Sequence, residues 1–188
     1  MVNDMFFRPE PVMARANLVG REAELDQLQA HLRRQSVMNV NIVGSPRIGK
    51  SSLLAVACQQ AADWLSGYDT TAVWLPLVEL RAGAPLPFWK MVWSRLKTAV
   101  AGKVAPEVMP ASVSETPADL STAVSDVVDE LLAVDGRRLL FFIDDFDRLV
   151  ADETAGVRTQ DISWLRSLLT VNLDALGFVI GSTEPLAA

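Results

Sequence analysis

Gly44-Ser45-Pro46-Arg47-Ile48-Gly49-Lys50-Ser51 sets two glycines, a lysine and a serine at fixed offsets between two very different runs. Residues 37–43 are β-branched apart from Met38 and two asparagines and read as a strand, while residues 50–62 are rich in Leu and Ala without a breaker and read as a helix. Glycines let the backbone curl so that several N–H groups converge, and the following helix adds its free N-terminal N–H groups and positive dipole end. Such a cradle fits phosphate. Lys50 is then placed to reach the β- and γ-phosphates of a nucleoside triphosphate, and the Ser51 hydroxyl to be a magnesium ligand. The plainer alternative is a glycine turn with a capping serine, and the strand before and helix after argue against it. Gly44, Ser45, Pro46, Arg47, Ile48, Gly49, Lys50, Ser51 and Ser52 are therefore the expected nucleotide-binding residues. Within them Pro46 fixes one φ, and Arg47 either faces solvent or touches phosphate, an acid or a partner.

Outward from this loop the chain alternates strands and helices. Residues 18–21 lead into a helix over 22–34, where Leu25, Leu28 and Leu32 make one apolar stripe. A second strand is expected at 70–77, then a helix carrying Trp89, Val92, Trp93 and Leu96. A further helix over 118–134 runs through Leu120, Val124, Val127, Val128, Leu131 and Leu132, with Gly136 placed to stop it. Residues 139–143 are an unbroken apolar run, as in a central parallel strand covered on both sides. A helix over 161–169 and a fourth core strand over 176–180 follow, the strand ending at Gly181-Ser182-Thr183. The pattern predicts an α/β three-layer P-loop NTPase fold with a mostly parallel sheet and ligands beyond the carboxyl ends of its strands. Residues 1–17, with Phe6, Phe7, Pro9 and Pro11 and no period, read as an irregular N-terminal arm, and 18–188 as one nucleotide-binding domain. The proline-bearing, weakly periodic stretch 102–117 reads as a flexible insertion.

Leu139-Leu140-Phe141-Phe142-Ile143-Asp144-Asp145 is a hydrophobic strand ending in paired carboxylates. Beside a phosphate loop, Asp144 would hold magnesium directly or through water, and Asp145 would polarise the attacking water. Without that loop the two acids would read as a strand end at the surface. Asp147 is a lesser candidate, able to bind Arg148 or cap the next element.

The formal charge of −6 gives no general attraction to nucleic acid or an anionic membrane, although a local basic patch stays open. No apolar run approaches the length that crosses a bilayer, and the N-terminal residues lack a signal-peptide pattern. The single cysteine, Cys58, allows no internal disulfide, so the expected compartment is the cytoplasm. His31 has no partner at zinc-like spacing, and the five tryptophans read as packing rather than as base-stacking platforms.

Taken with these residues, Leu18-Val19-Gly20-Arg21-Glu22, the loop with its Lys50-Ser51-Ser52-Leu53-Leu54 ending, the acidic strand end 142–147 and the strand 178–183 resemble the STAND group of AAA-like ATPases. These are signalling or defence-associated P-loop proteins of bacteria and archaea, related to origin-recognition ATPases. The resemblance implies ATP and Mg2+ as cofactors, with Val19, Gly20 and Arg21 near the adenine and ribose. It assigns catalytic roles to Lys50, Asp145 and Thr183, the last sensing the γ-phosphate. It implies slow hydrolysis that resets a conformational or assembly switch working through self-association or a partner protein. Two departures stand out. Many members carry arginine after the threonine, where this chain has Glu184. The AAA-like core also stops before its expected C-terminal part, which reads as a fragment of a longer protein. The alternatives are a non-hydrolysing interaction module propped by nucleotide, and a DNA-associated initiator or transposition-type ATPase, against which the acidic charge weighs.

Overall fold

Two core strands of this chain are almost wholly apolar, which is stable only where helices cover both faces of a sheet. A computed structural model describes residues 11–34, 39–80, 85–109, 116–147 and 175–185. The order is α1 (Glu22–Leu32), β1 (Val40–Val43), α2 (Lys50–Trp64), β2 (Asp69–Pro76), α3 (Pro85–Ala99), α4 (Pro117–Leu132), β3 (Arg137–Asp144) and β4 (Leu176–Ser182). The four strands lie in the order β1-β4-β3-β2, and each neighbouring pair is parallel. From β1 the chain therefore crosses to β2 at the far end of this order and steps back through β3 to β4, which lies beside β1 where the phosphate-type loop leaves the sheet.

Alternation along β3 divides the core into two layers. Leu139, Phe141 and Ile143 pack with α3, α4 and the apolar side chains of β2, whereas Leu140 and Phe142 pack with α1 and α2. All five are at most 1% exposed. Phe141 stacks on Phe178 across the β3–β4 ladder with ring centroids 5.3 Å apart. Trp89 is buried in the α3–α4 layer and Trp64 in the α1–α2 layer, so these rings are packing. Trp164 and the helix expected over 161–169 lie outside the described residues.

α4 starts with Thr116, whose hydroxyl accepts from the Asp119 N–H, and Pro117 occupies the first turn, where its missing N–H leaves nothing unpaired. Among the described residues no helix is long and apolar enough to cross a membrane.

Arg138 is the second residue of β3 and is only 2% exposed. Its guanidinium donates to the carbonyls of Leu32 and Arg34 at the end of α1 and lies 3.5 Å from the centre of the Tyr68 ring. A cation at a helix carboxyl end and on an aromatic face is favourable, and its removal takes the donor from the buried Leu32 carbonyl. Arg138→Ala is expected to lower unfolding free energy by about 3 kcal/mol in a urea titration, and Arg138→Lys to recover only part of it. A loss below about 1 kcal/mol would show the side chain to be expendable.

The stretch 102–117, expected to be a flexible insertion, packs on the core over its first half. Residues 101–109 form successive turns, with Val104 9% exposed and Val108 and Met109 against the α3–α4 core. Lys103 explains the anchoring: its ammonium donates to Asp69 Oδ1 at 2.6 Å, to the Thr70 carbonyl and to Thr71 Oγ1. That hydrogen bond, helped by the charges of Lys103 and Arg137, holds the Asp69 carboxyl below its usual range. Residues 110–115 lie outside the described residues, as do residues 1–10 of the arm. The described end of the arm runs along α2, where the Val12 N–H donates to Ser52 Oγ and Arg15 to Gln60.

Candidate functional site

β1 delivers Gly44 to the carboxyl rim of the sheet, where its N–H donates to the Ser182 carbonyl at the end of β4. A Cβ on Gly44 would stand 3.1 Å from Ile48 Cγ2, so a side chain there would crowd the turn. Gly49 has φ +96 and caps α2, a backbone state that glycine takes at no steric cost. Arg47 has φ +64, which for a residue with a Cβ stores about 1 kcal/mol of strain. The curl expected of residues 44–51 is thus present.

Lys50 is 9% exposed, and its ammonium points back into the curl, donating to the Gly44 carbonyl at 2.6 Å and the Ser45 carbonyl at 3.1 Å. Arg21 joins it from outside, donating to the Ile48 carbonyl with one nitrogen and to Glu24 Oε1 with another, which holds the Glu24 carboxyl below its usual range. Arg21 therefore touches the loop backbone itself. Gly20 has φ +73 with its N–H on Glu22 Oε1, and Val19 is 87% exposed. The Ser52 hydroxyl, on the residue after Ser51, accepts from the Val12 N–H of the arm.

Asp144 is 3% exposed, and its Oδ1 has no hydrogen-bond partner among the described residues. The Ser51 hydroxyl hydrogen-bonds the same carboxylate. Burial pushes the Asp144 carboxyl above its usual range; the Asp145 charge adds to this, while the Ser51 bond and the Lys50 charge oppose it. A buried carboxylate with one orphaned oxygen beside a hydroxyl presents hard oxygen donors, and that set fits a divalent cation such as magnesium.

Asp145 is half-buried with φ 56, a left-handed state that Asp tolerates better than most residues. The bend lets the Phe146 N–H reach the Gly181 carbonyl at 2.9 Å and brings Asp147 Oδ2 within 2.7 Å of the Thr183 N–H. Asp147 thus binds the end of β4, a partner that spacing did not single out, and Arg148 lies outside the described residues. Ser182 is fully buried, and its hydroxyl lies 2.6 Å from the Glu184 carbonyl and 3.0 Å from the Asn41 side-chain amide. A hydroxyl has one hydrogen, which the closer Glu184 carbonyl receives, and Asn41 Oδ1 lies beside the same hydroxyl. Thr183 and Glu184 are exposed on the rim.

Gly181 was missed as a site residue. A Cβ there would fall 2.6 Å from Leu54 Cδ1 and 3.1 Å from Asp144 Oδ1, so its bareness sets how closely β4 approaches α2 and the carboxylate. The available signal was a glycine closing an otherwise apolar strand. The structure places Gly44, Lys50 and Thr183 around one rim through the bonds above, with Ser51 on Asp144 and Asp145 next in the chain.

Solved structures share this fold, among them two archaeal proteins. The Walker-type ATPase PABY2304 of Pyrococcus abyssi matches with TM-score 0.58 and 15% identity over 95% of this chain and 49% of its own. The ORC2 protein of Aeropyrum pernix matches in its ADPNP–ADP complexes with TM-score 0.57 and 15% identity, over 96% of this chain and 44% of that one. Its ADP form matches with TM-score 0.55 and 14% identity, over 97% and 44%. The chain thus spans less than half the length of these proteins. No curated protein matches it. The family model described as an AAA ATPase domain matches residues 17–174, and with the parallel sheet and phosphate-type loop already in place, the chain belongs to the AAA ATPase domain family and has its α/β three-layer P-loop NTPase fold.

Proposed function

We propose that this domain binds ATP with Mg2+ and hydrolyses it slowly, serving as a nucleotide-controlled conformational or assembly switch of the STAND kind in the cytoplasm. The observation that carries the reading is the buried, orphaned Asp144 Oδ1, held beside Ser51 at the foot of a glycine-curled loop. Lys50 would exchange the Gly44 and Ser45 carbonyls for phosphate oxygens, and the loop and first-turn N–H groups would receive the rest of the anion. Ser51 and Asp144 would hold the cation, which when bound neutralises charge on the β- and γ-phosphates. Asp145 would accept the proton of the attacking water, and Thr183 would hydrogen-bond the γ-phosphate. The exposed Val19 and the Arg21 brace on Ile48 suit the group's expected adenine-side box.

Calorimetry with ATP and GTP, with and without magnesium, tests binding, and phosphate release tests turnover. Asp145→Asn keeps a residue that tolerates the left-handed backbone, so ATP affinity should stay within about twofold while turnover falls by about 10²-fold. Retained turnover in that variant removes Asp145 from the chemistry. A second reading, a nucleotide-propped interaction module without hydrolysis, is favoured by Glu184, an exposed carboxylate on the rim that repels phosphate. ATP binding with no phosphate release above background would select it.

A further inference from the structure

Asp147 is used by none of the roles above, although it joins the two strand ends that frame the site. We propose that Asp147 is a positioning residue: its carboxylate holds the turn that carries Thr183, and so fixes the end of β4 against the end of β3. This inference rests on the nucleotide reading given above.

The β3–β4 ladder is in register through Ile143 and Ile180. Beyond it, the two strand ends are held by the Phe146 N–H on the Gly181 carbonyl and the Thr183 N–H on Asp147 Oδ2. The second, at 2.7 Å, has the length of a charge-assisted hydrogen bond, roughly twice as strong as a neutral one. Its placement matters because the neighbouring Ser182 carbonyl receives the Gly44 N–H at the start of the phosphate loop. One short turn therefore touches the loop through Ser182 and the acidic strand end through Thr183. The Ser182 hydroxyl bond to the Glu184 carbonyl lies within the turn itself, and the contacts of Ser182 with Asn41 and Gly44 reach β1, so none of them sets the distance of the turn from β3. Without Asp147, the exposed Thr183 N–H turns to water and the side chain next to it loses its fixed distance from Asp145. A group that distinguishes a γ-phosphate from none must be held to within about 0.5 Å, and a tie to the opposite strand end supplies that constraint.

Asp147→Ala removes the acceptor, whereas Asp147→Asn keeps an oxygen at the same reach. Dissociation constants for ATP and ADP, together with hydrogen exchange at the Thr183 amide, separate the outcomes. In the alanine variant ADP affinity should stay within about twofold, the preference for ATP over ADP should fall at least about fivefold, and the Thr183 amide should exchange about tenfold faster. The asparagine variant should restore all three. An unchanged preference, an equal loss for both nucleotides, a wild type without preference, or asparagine behaving as alanine does would each overturn the positioning role. If the wild-type protein binds neither nucleotide, the nucleotide reading falls and this role with it. The exchange rate at Thr183 then decides separately whether the tie exists.

Discussion

Replacement of Lys50 by alanine is expected to weaken ATP binding on the order of 10³-fold, the equivalent of about 4 kcal/mol for removing one partner of a desolvated charge pair. The side chain is 9% exposed and its ammonium already sits inside the curl on the Gly44 and Ser45 carbonyls, so an arriving phosphate meets a charge in place and partly stripped of water. Removing it should hardly change the unliganded fold, because Ser45 is exposed and its carbonyl can turn to solvent. Calorimetric titration beside a melting curve makes the distinction: lost affinity with an unshifted melt assigns the loss to the ammonium. Lys50→Arg should not rescue binding, since a planar fork cannot occupy the position of a compact point charge between two carbonyls. Affinity within about tenfold of wild type in the alanine variant would mean that the loop amides alone hold the anion.

Asp144→Asn is expected to move stability and function in opposite directions. The folded protein holds the Asp144 proton more tightly than the unfolded chain does, because burial disfavours its charged form. Stability is therefore lost as pH rises through the ordinary carboxylate value towards the raised one, and stays lost at neutral pH. Asparagine carries no charge to bury, so without nucleotide the variant should be the more stable form at neutral pH and melt at a higher temperature. The gain should vanish at pH values below the ordinary carboxylate range. The magnesium-dependent part of ATP affinity should meanwhile drop on the order of 10²-fold, as a neutral amide replaces the anionic oxygen offered to the cation. Melting across pH with ATP titrations at varied magnesium reads both halves. A variant less stable at neutral pH would contradict the orphaned-oxygen account.

Features that depend on near neighbours in the chain were legible in the sequence. Gly44, Gly49 and Lys50 define a backbone curl within one turn of a helix, and the apolar run of β3 announces a strand buried on both faces. Contacts made by topology were not. Arg21 meets Ile48, Lys103 meets Asp69, Arg138 meets Leu32 and Asp147 meets Thr183, separations of 27, 34, 106 and 36 residues that no local period encodes. In the stretch after α3, prolines and small residues speak for looseness, while the contacts of one lysine and one valine with the core are again set by topology. The bond of the Ser52 hydroxyl to the arm likewise follows from the packing of residue 12 against α2, which the motif's composition does not encode.

The left-handed bend at position 145 also narrows which acid can stand there. Asp reaches that conformation readily because its short polar side chain can bond locally, whereas glutamate, with a longer stem, would bear about 1 kcal/mol of torsional penalty. Glutamate at this position would either carry that strain, as Arg47 does at φ 64, or straighten the bend and give up the hydrogen bond from Phe146 to Gly181 that it permits.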